Sequence, residues 1–271
     1  MTALTFTLRR RPEQRLDLSP LVPTLLVGKS AALIERIELQ TTRCRVCVAD
    51  IFRVRMGDAD RIRIEGGCNR LDRIGQAMTG GEIVVDGDVG VQAGRAMAGG
   101  KLTVRGDAGP LAGSGMKNGV IEILGAAGDR LGGPLAGEVT GMRGGLIVVR
   151  GAAGERAGDR IRRGTIIIEG EAGDYAGSRM IAGTLVVAGK AGNLPGYLMR
   201  RGTIVLGKGC SAMSPTFADC GQFELLAMRL WAGFLAPHSK SAAAVLKRPL
   251  QRFAGDMAAL GRGELLLGNR N

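Results

Sequence analysis

Aromatic side chains are nearly missing from this chain: one Trp, two Tyr and six Phe among 271 residues. A core of stacked rings is excluded, and a nucleic-acid surface built on aromatic platforms finds no support. One histidine, His238, leaves little from which to build a Ser/His/Asp arrangement or a multi-histidine metal site. Five cysteines are an odd number, and no secretory-type apolar stretch follows the N-terminal arginines, so they read as reduced thiols of a cytoplasmic protein. Cys44 and Cys47 form a C-x-x-C, but Cys210 and Cys220 lack the spacing of a second pair. No apolar run reaches the roughly 18 residues a membrane span needs. None of the repeat's glycine triplets ends in the Gly-Lys-Ser/Thr of a phosphate loop. These absences predict a chain with no catalytic residue, no metal and no cofactor of its own.

Glycine and positive charge are in excess. The chain has 45 glycines, a formal net charge of +12 and a pI near 10.2. Glycine at this level without a Gly-X-Y period, in a chain that is 45% hydrophobic, points to a repeat fold rather than to disorder or collagen. The charge predicts an acidic partner.

The repeat is explicit. Glycines open units at Gly81, Gly100, Gly119, Gly145, Gly164, Gly183 and Gly202, in steps of 19, 19, 26, 19, 19 and 19. Further glycines recur six, nine and thirteen residues after the first six openers: Gly87, Gly90 and Gly94, then Gly106, Gly109 and Gly113, and later Gly170, Gly173 and Gly177. After each opener two apolar residues alternate with a neighbour, as in Ile83 and Val85 or Ile166 and Ile168. That is the period of a short strand with one buried face. The glycines after it fall where a coil must bend, and are expected to supply positive φ and close approach of neighbouring coils. Three residues before most openers comes a methionine (Met78, Met97, Met116, Met142, Met180, Met199), with Ile161 once, as an apolar corner filler. One strand per 19 residues buries its apolar face only by stacking. The predicted fold is all-β: a right-handed parallel β-helix over residues 57–210, N-terminal capping strands over 1–56, and a C-terminal helical cap and tail over 211–271. The capping strands are placed at Ile34–Gln40 and Cys44–Arg55. The cap is placed as a helix over 217–235, with Phe223, Leu226, Leu230 and Phe234 on its packed face.

Two residues before the opener stand Lys117, Arg143, Arg162 and Arg200, with Arg163 and Arg201 beside them and Ile181 as an interruption. Stacked, one column becomes one basic edge, a candidate contact for an acidic partner chain or an anionic ligand. On the strands, Asp86 precedes Arg105 and Arg150 precedes Glu169, as stacked opposite charges should. Thr165, Thr184 and Thr203 form an outward ladder.

The coil motif G-x-x-G-x-x-x-G behind a short strand resembles the β-helix at the C-terminal end of the glutamate synthase large subunit. With the ending Ser214–Phe217, S-P-T-F, followed by C-G-Q-F-E-L from Cys220 to Leu225, the chain is more similar to the C-subunit family of formylmethanofuran dehydrogenase. The resemblance implies a scaffold subunit in one-carbon metabolism. Its bacterial setting is a formyltransferase/hydrolase complex that passes a formyl group from formyl-tetrahydromethanopterin to a methanofuran analogue and hydrolyses it to formate. The arginine- and alanine-rich composition leans that way. The archaeal setting is a tungsten or molybdenum dehydrogenase. In both, the resemblance places the chemistry on other chains: formyltransferase-like and amidohydrolase-like partners, the methanofuran analogue, and zinc on another subunit. It implies neither nucleic acid nor membrane as partner.

Overall fold

The computed structural model describes residues 2–41, 45–223 and 226–268. Cys44 of the C-x-x-C pair and Glu224 and Leu225 of the ending lie outside the described residues. The protein is mostly β. Its main sheet has 13 strands and is mixed, running from Phe52–Arg55 at one edge to Ala218–Phe223 at the other. Between them, strands from Asp58–Gly67 to Arg201–Leu206 pair in parallel, each one repeat from the last.

The register keeps every repeat position in a column. Ile83 pairs with Leu102, Ile121 with Leu102, and Ile166 with both Ile147 and Leu185. These inward residues and the corner residues Met78, Met97, Met116, Met142, Ile161, Met180 and Met199 are buried. Alternation along the strand supplies one dry face per unit, and stacking joins these faces into one core. A second line of parallel bridges runs Val89, Ala108, Ala127, Ala153, Ala172, Ala191.

The glycines do not all act as expected. Gly177 has φ +69°, the left-handed region in which a Cβ is costly. Gly173 has no positive φ; a Cβ there would lie 2.8 Å from the backbone N of Glu155 and 2.9 Å from the carbonyl carbon of Gly154. Space, not backbone conformation, requires glycine at Gly173.

Both ends differ from the sequence expectation. Ile34 lies in a short helix, Ala31–Glu35, and Val48–Ile51 is helical, so the leading segment is not all strand. At the other end 217–235 is divided: Ala218–Phe223 is a strand and Leu226–Leu235 a helix. Leu226 and Leu230 are each 72% exposed and Phe234 is 58% exposed, while Ala232 and Leu235 are buried. The helix lies on the outer face of the sheet, where small Ala232 permits close approach, so the large residues of the three-four spacing turn outward. The tail is ordered too. Helix Lys240–Leu246 is N-capped by Ser239, whose hydroxyl accepts from Ala242 N, and strands Leu250–Gly255 and Arg262–Gly268 follow. Arg262–Gly268 pairs in parallel with Arg201–Leu206 and ends the stack.

The helices cover a second core. Val148, Ile167, Val186, Val205 and Leu266 point outward from successive strands and pack against Ala232, Leu235, Ala242, Ala243 and Leu246. No helix among the described residues is long and apolar enough to cross a membrane.

Candidate partner-binding edge

The structure aligns the basic column. Lys117 N donates to Met97 O at 2.7 Å, Arg143 N to Met116 O at 2.6 Å, Arg162 N to Met142 O at 2.8 Å, and Arg200 N to Met180 O at 2.8 Å. Ile181 N makes the same bond to Ile161 O at 2.9 Å. One residue after each corner, the chain therefore repeats one geometry, and the side chains Lys117, Arg143, Arg162 and Arg200 are exposed along one edge. Arg163 and Arg201 start the following strands, and Arg163 pairs with Arg143 across the ladder. Arg201 pairs with Arg262, a cation that repeat spacing does not place here because it lies 61 residues further on.

This edge is uncompensated. Among the described residues, no carboxylate lies within ion-pair distance of Lys117, Arg162, Arg163, Arg200 or Arg201, and Arg143 Nε donates to Thr140 Oγ1 at 3.0 Å. Lys117, Arg143 and Arg162 stand in successive units about 4.8 Å apart, where like charges in water repel by about 0.9 kcal/mol before screening; Arg162 and Arg200, two units apart, repel by about 0.4 kcal/mol. Long exposed side chains can splay apart to lower this, so repulsion alone does not demand a partner.

Some arginines elsewhere are paired. Arg179 holds Asp159 through two bonds of 3.0 and 2.9 Å, and Asp159 also accepts from Ser178 Oγ at 2.8 Å. Arg95 bonds Glu138 at 2.9 Å and holds its carboxyl below the usual glutamate range. On the strands, Asp86 lies 3.0 Å from Arg105 and Arg150 lies 2.8 Å from Glu169, as the column offsets predict. Arg150 also bonds Glu122 at 2.7 Å and the carbonyl of His238 at 2.8 Å. Thr165, Thr184 and Thr203 stand in register, and Thr203 Oγ1 donates to Glu264 at 2.6 Å.

The edge also has relief. The one 26-residue step of the repeat places its seven extra residues between Gly132 and Gly141, and they project beside the column. Arg160 and Arg179, directly before corner residues Ile161 and Met180, reach the same side. Both occupy one repeat position, so the signal for them is present in the sequence, two places before the basic column. His238 lies beside Phe234, with ring centroids 6.1 Å apart. Cys47, Cys68, Cys210 and Cys220 are not joined in disulfides among the described residues. No group of three or more His, Cys, Asp or Glu among the described residues is placed to hold a metal ion.

Stacked units and a basic edge interrupted once, at Ile181, define a repeat-built β protein whose distinctive surface is suited to contacts. No family model matches the sequence. An 86-residue stretch is 44% identical to the C subunit of the formyltransferase/hydrolase complex Fhc of Methylorubrum extorquens, covering 32% of this chain and 32% of that protein. A 94-residue stretch is 37% identical to the C subunit of tungsten-containing formylmethanofuran dehydrogenase 2 of Methanothermobacter wolfeii, covering 33% of this chain and 35% of that protein. In these alignments the chain spans about a third of the length of the curated relatives. The whole fold superimposes, with TM-score 0.95 and 42% identity, on a chain of the X-ray crystal structure of the formyltransferase/hydrolase complex FhcABCD from Methylorubrum extorquens in complex with methylofuran. That superposition covers 98% of this chain and 100% of the other. The chain belongs to the family that contains the C subunits of Fhc and of the formylmethanofuran dehydrogenases.

Proposed function

We propose that this chain is a non-catalytic structural subunit of a formyltransferase/hydrolase complex in one-carbon metabolism, in the cytoplasm. In this reading the stacked units form a right-handed parallel β-helix on which formyltransferase-like and amidohydrolase-like subunits assemble. The winding is supported by two lines of parallel pairing per unit, one on the strands and one through Ala108, Ala127, Ala153 and Ala172. The full-length likeness to a chain of FhcABCD carries the functional reading. It favours this complex over a tungsten dehydrogenase, whose C subunits match over a third of the chain or less, at 37% and 35% identity for two Methanothermobacter proteins and 48% over 58 residues for another. A methanofuran analogue would serve the complex. Zinc would belong to another subunit of the complex, as the family resemblance implies.

Purification of the native assembly tests this. Formyltransferase-like and amidohydrolase-like chains are expected to co-elute with this one, and the isolated chain is expected neither to transfer nor to hydrolyse formyl groups. Turnover by the rigorously purified single chain, or a native chain that elutes alone, would overturn the proposal.

A further inference from the structure

Two concavities on the basic edge share Ile181, Arg200 and Leu260 and form one trough. Its larger part encloses 780 Å³ and its smaller part 360 Å³. One wall is the insertion, with Glu138 and Val139; the other is the turn Ala258, Ala259, Leu260. Arg160 and Arg179 line the larger part, and Arg162, Arg163 and Arg201 the smaller.

Both walls are fastened to the stack. Glu138 is held by Arg95, its carbonyl accepts from Arg160 Nη1 at 3.1 Å, and its carboxylate accepts from Leu135 N at 3.0 Å. Asp256, buried at the base of the opposite turn, accepts from Leu198 N and from Ala258 N, each at 2.8 Å. Arg160 and Arg179 have left-handed backbones, but Ala77 and Ala96 share that conformation at the same repeat position, so it belongs to the fold and not to the trough.

The lining combines two chemistries. Six arginines line it; of the carboxylates beside them, Glu138 and Asp159 are already bonded, to Arg95 and to Arg179, and Asp256 is buried and held by the backbone N–H groups of Leu198 and Ala258. Val139 is 77% and Leu260 56% exposed, and Ile181 stands in the column where its neighbours are Arg162 and Arg200. Guanidinium forks match carboxylates, and the aliphatic patches match aliphatic side chains. No aromatic ring lines the trough, so nucleic-acid bases find no stacking platform, and a small inorganic anion leaves the apolar walls unused.

We propose that the trough clasps an extended acidic segment of a partner protein chain, with carboxylates on Arg162 and Arg200 and aliphatic side chains against Val139, Ile181 and Leu260. Arg162 and Arg200 are about 10 Å apart along the stack, a span that about three residues of extended chain cover. The interruption at Ile181 then supplies an apolar seat between two cationic ones. The inference deepens the scaffold reading by naming one contact, and rests on it only for the existence of partner chains.

Fluorescence anisotropy of labelled octapeptides on the full-length chain tests it. The peptide EELEEVEE is expected to bind, and to weaken as salt is raised. The double variant Arg162→Glu/Arg200→Glu is expected to lower its affinity by about tenfold or more, and Val139→Ser/Leu260→Ser by about threefold. The control Lys190→Glu/Lys208→Glu changes net charge equally outside the trough, and should stay within about twofold of the parent. Circular dichroism melting confirms that each variant is folded. The proposal is overturned if EELEEVEE does not bind, if QQLQQVQQ binds as well, if the control loses as much as the trough variant, or if an oligothymidylate of equal charge binds more tightly. A complex that assembles although the peptide fails would remove the trough and leave the scaffold reading standing. A chain that binds the peptide but recruits no partner subunits would do the reverse.

Discussion

In the first four stacked strands the middle outward position holds Arg63, Val84, Thr103 and Glu122; in the next five it holds Val148, Ile167, Val186, Val205 and Leu266. The inward positions do not change: Ile83, Leu102, Ile121, Ile147, Ile166, Leu185 and Ile204 are all fully buried. The inner face is thus a constant of the repeat and the outer face a variable. Where it is polar, solvent and ion pairs satisfy it, as with Arg63, Asp86 and Arg105. Where it is apolar, the helices Leu226–Leu235 and Lys240–Leu246 cover it. The border is marked by Arg150, which bonds Glu122 of the polar part and Glu169 under the helices.

Exchanging the character of one outward residue tests this division most severely. Ile167 is fully buried beneath the helices. Ile167→Asp would place an unpaired carboxylate in that interface and should detach the helices, costing several kcal/mol. Ile167→Ala should cost about 2–5 kcal/mol through lost burial and the cavity left behind. Thr103→Asp, on the open part of the same face, should stay within about 0.5 kcal/mol. Urea unfolding and limited proteolysis between residues 224 and 250 read both effects. Equal losses at the two positions would show that the outer face is not divided.

A second pair of substitutions asks whether the corners are indifferent to that division. A Cβ at Gly109 would lie 2.7 Å from Gly90 O, and one at Gly173 would lie 2.8 Å from Glu155 N. Gly109→Ala and Gly173→Ala should each cost about 1–3 kcal/mol by overpacking, and by similar amounts, measured as a shift in denaturation midpoint. If only one of the two destabilises, the units are not equivalent at their corners.

The smallest expected effect lies at the border. Burial pushes the Glu122 carboxyl up, but hydrogen bonding from Arg150 and the charges of Lys101 and Arg150 outweigh it and hold it below its ordinary 4.5. A carboxyl lowered in the folded state contributes stability above its unfolded value, and loses it as pH falls through the folded one. As pH falls from about 5 through the lowered folded value this contribution should disappear, and because the pair is partly exposed it should amount to less than about 1 kcal/mol. Glu122→Gln should flatten the corresponding part of the stability profile; an unchanged profile would mean that Arg150 joins the two regions without stabilising either.

Period, inward pairs, corner methionines and basic column are all legible in the amino-acid order, because in-register stacking turns each repeat position into a line of neighbours. The outer apolar column is legible too, since Val148, Ile167, Val186 and Val205 stand between the inward residues. What that column meets is a matter of packing. Helix Leu226–Leu235 can present either of two apolar sides, and only contact with the sheet selects Ala232 and Leu235 over Leu230 and Phe234. The strand Arg262–Gly268 repeats the pattern of Arg201–Leu206 as R-G-x followed by three apolar residues, yet it stands 61 residues later, outside the 19-residue period. The trough likewise joins an insertion, a corner and a C-terminal turn that are distant in sequence. Local spacing fixes what recurs along the stack, whereas a contact between non-repeating segments exists only once the chain has folded back on itself.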